Sequence, residues 1–246
     1  MGISVGRTVL PEMLVVTGLE DAKTEVQGFI AEVMRNRRVE LQNGGWIRSG
    51  DLFTVVEVAP KTLREHKGIS RHLADFFFIS YHYTPITEDV DDDGSSFASV
   101  VIRKSPSSVS DIQLPSIDPD TIALFRNHAE KVNISTEIKR YMHDLIACIR
   151  MHRAVRSGCV WSRATQDFEV LVRCLAVIHG LDFVTPALVT LAISKIYNHR
   201  LEIIQRPKLE RSVLYGSGTG TVGQYLERIT PEMVVDDAVK SVRVPL

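Results

Sequence analysis

The chain is poor in the features that betray most protein classes. Only 3 of its 246 residues are cysteine, and Cys148, Cys159 and Cys174 stand far apart. That excludes a disulfide framework and a local zinc clip, and points to a reducing compartment. Neither sign of charge is in excess: 29 Lys+Arg face 30 Asp+Glu, a net charge of −1. A globally basic nucleic-acid binder and a polybasic membrane binder are thereby excluded, and only local patches remain open. No apolar run approaches the ~20 residues of a membrane-spanning helix. The opening MGISVGRTVL carries no secretory hydrophobic stretch, and Gly6 stands where myristoylation needs Ser or Thr. The expectation is an intracellular protein, cytoplasmic or nuclear, neither secreted nor membrane-bound. No G-x-x-x-x-G-K-S/T motif and no internal repeat occur. What is present is a 44% hydrophobic fraction over a length that allows one large or two small domains.

Patterning divides the chain into four stretches. Residues 1–85 mix strand and helix signals. Met13-Leu14-Val15-Val16, ended by Gly18, reads as a buried strand. Val26, Phe29, Ile30, Val33 and Met34 follow helical spacing, with Arg35, Arg37 and Arg38 where cations suit the helix dipole. Val39–Leu41 and Trp46–Arg48 flank Asn43-Gly44-Gly45, a hairpin signal. Phe53–Val58 and Phe76–Tyr81 read as two more strands. Residues 86–117 are acidic, then Ser/Pro-rich, a composition that cannot bury enough apolar surface to offset the entropy of ordering; they are expected to be a linker or insertion. Residues 118–205 read as four helices. Asp118-Pro119 starts the first, and Ser135 or Thr136 caps the second, which carries the stripe Ile138, Tyr141, Met142, Leu145, Ile146, Ile149. Phe168, Leu171, Val172 and Leu175 mark the third, ended by Gly180; Thr185-Pro186 opens the fourth. Residues 206–246 form a tail with a Gly-rich turn at 216–223 and one short helix.

Isolated motifs carry little chemistry. Gly218-Thr219-Gly220-Thr221-Val222-Gly223 fits G-x-G-x-x-G, whose amides can hold a pyrophosphate. Too little chain follows for the required βαβ unit, so a flexible loop is expected. Asp89-Val90-Asp91-Asp92-Asp93-Gly94 matches half of a calcium loop, but Val100 stands where the closing Glu is needed, so it reads as a solvated acidic loop. His128, His143, His152, His179 and His199 form no metal-ligand spacing. Arg140, Arg150, Arg153, Arg156 and Arg163 are opposed locally only by Asp144, a local basic patch read as a solvated helix face that could bind phosphate.

The helical stretch carries a more specific signal. Val160-Trp161-Ser162-Arg163-Ala164 is followed by a helix, Gly180-Leu181-Asp182-Phe183-Val184-Thr185-Pro186, a second helix and His199-Arg200-Leu201. This order and spacing resembles the lid of AAA+ ATPases of the MoxR and magnesium-chelatase type, and fungal magnesium-chelatase-like proteins are the expected relatives. Residues 13–16 are similar to that family's Walker B strand, and the following helix, hairpin and strand up to Ala59-Pro60 to its sensor-1 region. The resemblance implies an α/β fold: a partial, truncated P-loop-type core over 1–85 and a C-terminal all-helical lid over 118–205.

The departures from the family pattern shape the functional expectation. Thr17 and Gly18 occupy the Walker B positions of the metal-holding Asp and the water-polarising Glu. Glu20 and Asp21 lie three residues further on, beyond the strand end. Ala59 stands at the sensor-1 Asn, and Asp75 at the arginine of a Leu-Asp-Arg-Phe element. Only the sensor-2 arginine is retained, as Arg163. Phosphoryl transfer depends on positioning and electrostatics. The resemblance therefore implies no catalytic or metal-binding residues here, and ATP/Mg²⁺ only if missing sequence or a partner completes the site. The expected role is an interaction or scaffold module with protein partners or a homo-oligomer. The alternatives are an ATPase subunit of a magnesium-chelatase-like complex, which inserts Mg²⁺ into a porphyrin, and a nucleic-acid-associated AAA+ relative. Losing the P-loop half would also leave a sheet edge exposed, to be covered by a partner or by sequence outside these residues.

Overall fold

In the computed structural model, residues 10–40, 44–59, 69–83 and 117–245 are described. The α/β part begins with β1 (Met13–Thr17), a short 3-10 turn and α1 (Thr24–Asn36). A hairpin of β2 (Arg38–Glu40) and β3 (Trp46–Arg48) follows, then β4 (Thr54–Val58) and the one-turn helix α2 (Arg71–Ala74). β1 and β4 pair in parallel, Met13 opposite Thr54 and Thr17 opposite Val58. Their connection passes through α1 and the antiparallel hairpin, in which Val39 faces Ile47.

β1 and β4 are not the buried strands that their composition predicts. Leu14, Val16, Val55 and Glu57 are partly covered, whereas Met13 and Val15 are 61% and 57% exposed and Val56 and Val58 lie open beside them. Parallel strands need cover on both faces. Here, among the described residues, one layer of helix covers one face of a two-stranded sheet. In α1 the later half of the predicted stripe holds, with Val33 buried and Ile30 and Met34 packed on the core, whereas Val26 and Phe29 are exposed and Gln27 and Ala31 are buried in their place. Phe29 and Val33 line an apolar cavity of about 200 Å³ with Leu14 and Val55.

The segment predicted as a third strand, Phe76–Tyr81, forms none. Ser70 caps α2 by accepting from the Leu73 amide at 3.3 Å. The chain then turns, buries Phe76, and runs extended to an anchor where the Ser80 amide donates to the Lys195 carbonyl at 2.9 Å.

The helical part holds α3 (Pro119–Lys131), α4 (Thr136–Met151), α5 (Ser162–Ile178), α6 (Pro186–Tyr197), α7 (Thr219–Arg228) and α8 (Pro231–Ser241). All six positions of the α4 stripe are buried, and Ser135 caps α4 by accepting from the Ile138 amide. Phe168 of α5 meets Tyr197 of α6 edge-on, with ring centroids 5.9 Å apart. Gly180 ends α5 at φ 70°, in the left-handed region. Asp182 and Val184 bond the backbone of Asn133, tying the loop before α6 to the end of α3.

The tail departs most from its reading. It forms two helices, and Val222, Leu226, Val234, Val235 and Ala238 complete the helical core. The Gly-rich run is no flexible loop: Gly218 is the N-cap of α7, and Gly220 and Gly223 lie within it. Burial of Val222 and Leu226 compensates for the helix cost of two glycines. The acidic run at 88–93 and the Ser/Pro-rich run after it lie outside the described residues, as does Val100.

Candidate functional site

The parallel pairing brings three of the candidate positions to one sheet end. Thr17 closes β1, Gly18 follows it, and Ala59 follows Val58, the register partner of Thr17. In α/β folds the carboxyl ends of parallel strands are where ligands bind. Gly18 has φ 69°. It turns the chain sharply so that Leu19, 2% exposed, drops into the small core of the α/β part.

Two carboxyls stand at this end, although neither is at a position the family pattern names. Glu57 lies opposite Val16, and Glu20 sits in the turn after β1. Burial, then the charge of Glu20, pushes the Glu57 carboxyl up to about 7. Glu20 Oε2 and Glu57 Oε1 are covered from solvent without a hydrogen-bond partner. Among the described residues no three His, Cys, Asp or Glu side chains group so as to hold a metal ion.

Gln27 holds this end together. Its amide donates to the carbonyls of Leu19 at 3.1 Å and Ala22 at 3.2 Å, and its oxygen accepts from the Ser70 amide at 2.6 Å. One buried polar side chain thus ties the loop after β1 to the start of α2.

Arg163 and Asp75 meet at a second cluster, where the α/β part touches the helical part. Arg163 is the second residue of α5; its guanidinium lies 4.3 Å from the Phe76 ring centroid, and Nε is 4.0 Å from Asp167 Oδ2. Arg35 approaches the same ring at 5.3 Å. Phe76 also packs with Leu19, Ala31 and Leu73, so it links this cluster to the strand ends. Asp75 C-caps α2, with its Oδ1 3.9 Å from Arg200 Nε. Burial pushes its carboxyl upward, against the opposing pull of Arg200 and Arg163.

Arg200 is the centre of the cluster. Its side chain is 2% exposed; Nη2 donates to Asp167 at 2.6 Å and to the Phe77 carbonyl at 2.8 Å. His199 Nε2 lies 2.8 Å from the same carbonyl and 3.3 Å from Arg200 Nε, and Nδ1 lies 3.0 Å from the Ser80 hydroxyl. Beside it Arg71 forks onto Glu202, with N···O distances of 2.9 and 2.6 Å, and Arg156 adds a third contact at 2.9 Å. These bonds hold the Glu202 carboxyl below its ordinary range.

All five arginines of the basic patch are exposed, as a solvated face requires, but three of them have partners within the chain: Arg156 and Arg163 as described, and Arg153, which pairs with buried Glu210 and lies over Tyr225. Sequence reasoning missed Arg200, Asp167, Glu202, Arg71 and Gln27 as organising residues. For Arg200 a signal existed: it stands in His199-Arg200-Leu201, right after a helix whose apolar positions bury it.

No family model matches the chain. It is 32% identical over 102 residues to "Maintenance of telomere capping protein 2" of Kluyveromyces lactis, covering 40% of this chain and 37% of that protein. The like-named protein of Lachancea thermotolerans is 34% identical over 109 residues, 43% of this chain and 38% of that one. That of Saccharomyces cerevisiae S288c is 30% identical over 101 residues, 40% and 28%. The matches thus span between about a quarter and two fifths of these curated relatives' length. Their name is a telomere-capping one, where magnesium-chelatase-like proteins had been expected. Among solved structures, the fold is similar to that of a "putative ATPase" from Cytophaga hutchinsonii, with TM-score 0.68 and 15% identity over 96% of this chain and 67% of that one. At that identity the likeness speaks for the fold alone. It supports the expected mixed α/β fold, similar to that of this ATPase structure.

Proposed function

We propose that this chain is an AAA+ ATPase-like module of MoxR type that binds other macromolecules and does not hydrolyse ATP. The observation that carries the reading is the chemistry of the strand ends. Thr17, Gly18 and Ala59 bring a hydroxyl, a bare backbone and a methyl to the place where Mg²⁺ and an attacking water would have to be held. Glu57 and Glu20 offer a poor substitute, since burial favours the protonated form of Glu57. Arg163, in the sensor-2 position, already faces Asp167 and Phe76. Asp75 brings negative charge to that neighbourhood, which is unfavourable beside a triphosphate. These residues do not fit Mg-ATP.

The proteins that match carry a telomere-capping name, which favours a nuclear role in a protein complex over a magnesium-chelatase one. A DNA-associated role is the second reading, favoured by that same name. Against it stand the net charge of −1 and the pairing of Arg153, Arg156 and Arg163 within the chain. The exposed apolar face of β1 and β4 suits a protein neighbour better.

Calorimetric titration of the purified chain with Mg-ATP, run beside Arg163→Ala, tests the proposal. No heat of binding is expected from either protein. Tight binding that disappears in Arg163→Ala would overturn the reading. Fluorescence anisotropy with a duplex DNA at several salt concentrations separates the second reading: binding that survives physiological salt would favour it over a protein-only role.

A further inference from the structure

The two parts of the molecule have separate apolar cores. Leu19, Ala31, Leu73 and Phe76 form one, and the helices form the other; among the described residues no buried apolar side chain belongs to both. What crosses between them is mainly polar. Arg71 reaches Glu202, which Arg156 also contacts from its own part, and Arg200, braced by Asp167, reaches Asp75 and the Phe77 carbonyl. His199 reaches Phe77 and Ser80, and Ser80 reaches the Lys195 carbonyl. Two cation–aromatic contacts complete the seam, Arg163 over Phe76 and Lys195 over Tyr81.

We propose that this seam is a breakable charge latch, whose release frees residues 69–83 from the helical part while both cores stay folded. A hydrophobic joint would not respond to ions in this way; a joint of charges does, because screening acts on them directly. The latch has a wet half and a dry half. The side chains of Glu202, Arg71 and Arg156 are 32%, 29% and 61% exposed, so dissolved ions reach them. Those of Arg200 and Asp75 are 2% and 13% exposed, and they hold by desolvated contacts that must part together. Release therefore begins at Glu202. The groups facing Glu202 are Arg71, Arg156 and the Cys159 thiol; those facing Asp75 are Arg200, Arg163, Asp167 and His72. The latch is independent of whether nucleotide binds.

Hydrogen exchange of the full chain, followed by peptide mass spectrometry, tests it. Raising NaCl from about 0.05 to about 1 M, where the screening length falls to about 3 Å, should speed amide exchange in 78–83, where the Ser80 amide bonds across the seam, by about tenfold and leave α2, α4 and α5 unchanged. Glu202→Gln should show about the same acceleration already at low salt, and respond little to added salt. Arg71→Gln should behave like Glu202→Gln. Exchange in 78–83 that ignores salt in the unaltered protein overturns the latch. So does exchange that rises equally in α4, because the molecule would then open as one unit. The salt series on the unaltered chain decides the matter even if a variant fails to fold.

Discussion

At the scale of single residues, the strand-end region depends on polar groups that hydrophobic patterning does not reveal. Gln27 is 2% exposed and serves three backbone groups. An apolar replacement of similar size leaves the Leu19 and Ala22 carbonyls and the Ser70 amide without this partner. Gln27→Leu should destabilise the α/β part by about 1–3 kcal/mol, read as a lower denaturation midpoint by a probe in that part, such as the fluorescence of Trp46. A midpoint equal to that of the unaltered protein would show that water replaces the amide at no cost. Gly18 illustrates a different residue-scale constraint. Its Cβ position is open, but its φ of 69° strains any L side chain, so an acid could not be placed there without backbone cost.

Among the elements, α4 and α1 stand at opposite ends of legibility. Every stripe residue of α4 is buried and its cap is the predicted one. Leu145 is fully buried, so Leu145→Ala should cost about 2–5 kcal/mol, whereas Ser135→Ala, which removes only the cap bond to Ile138, should cost about 1 kcal/mol. Chemical denaturation followed by circular dichroism measures both; equal losses would mean that α4 contributes through its end rather than its packed face. In α1 the same periodic reasoning found Ile30, Val33 and Met34, which pack inward, but also selected Val26 and Phe29, which are exposed. The thin sheet beneath α1 offers little apolar surface, and the helix turns Gln27 inward to bond the loop after β1. The segment 76–81 fails as a strand for a related reason: its backbone partners lie on α6 and the His199–Arg200 turn, not on a sheet.

Across the whole molecule, Glu57 and Glu202 give opposite pH dependences. Glu57 is raised in the folded state from an ordinary 4.5 to about 7. The folded protein therefore holds this proton more tightly than the unfolded chain, and stability grows as pH falls from about 7 towards 4.5. Glu202 is lowered from 4.5, so its contribution is present above 4.5 and is lost as pH falls through its folded value. The folded protein should be most stable between these ranges, on the mildly acidic side of neutrality. Glu57→Gln should raise its melting temperature at pH 8, by on the order of 1 kcal/mol of stability once the half-buried position is allowed for, and flatten the slope between pH 5 and 7. A slope unchanged in the variant would assign the titration to another group.

By itself the sequence determined the helices of 118–205, the hairpin and the two short strands. These are local properties: a helical stripe, a cap or a turn signal needs only neighbours in the chain to be read. Only the tertiary structure decided that Phe76–Tyr81 is an anchored segment rather than a strand, that the tail completes the helical core, and that four charged residues, Arg71, Asp75, Arg200 and Glu202, join two separate cores. The reason is distance along the chain. Arg71 and Glu202 are 131 residues apart, and a charge becomes a latch or a mere solvated side chain according to what folding sets opposite it.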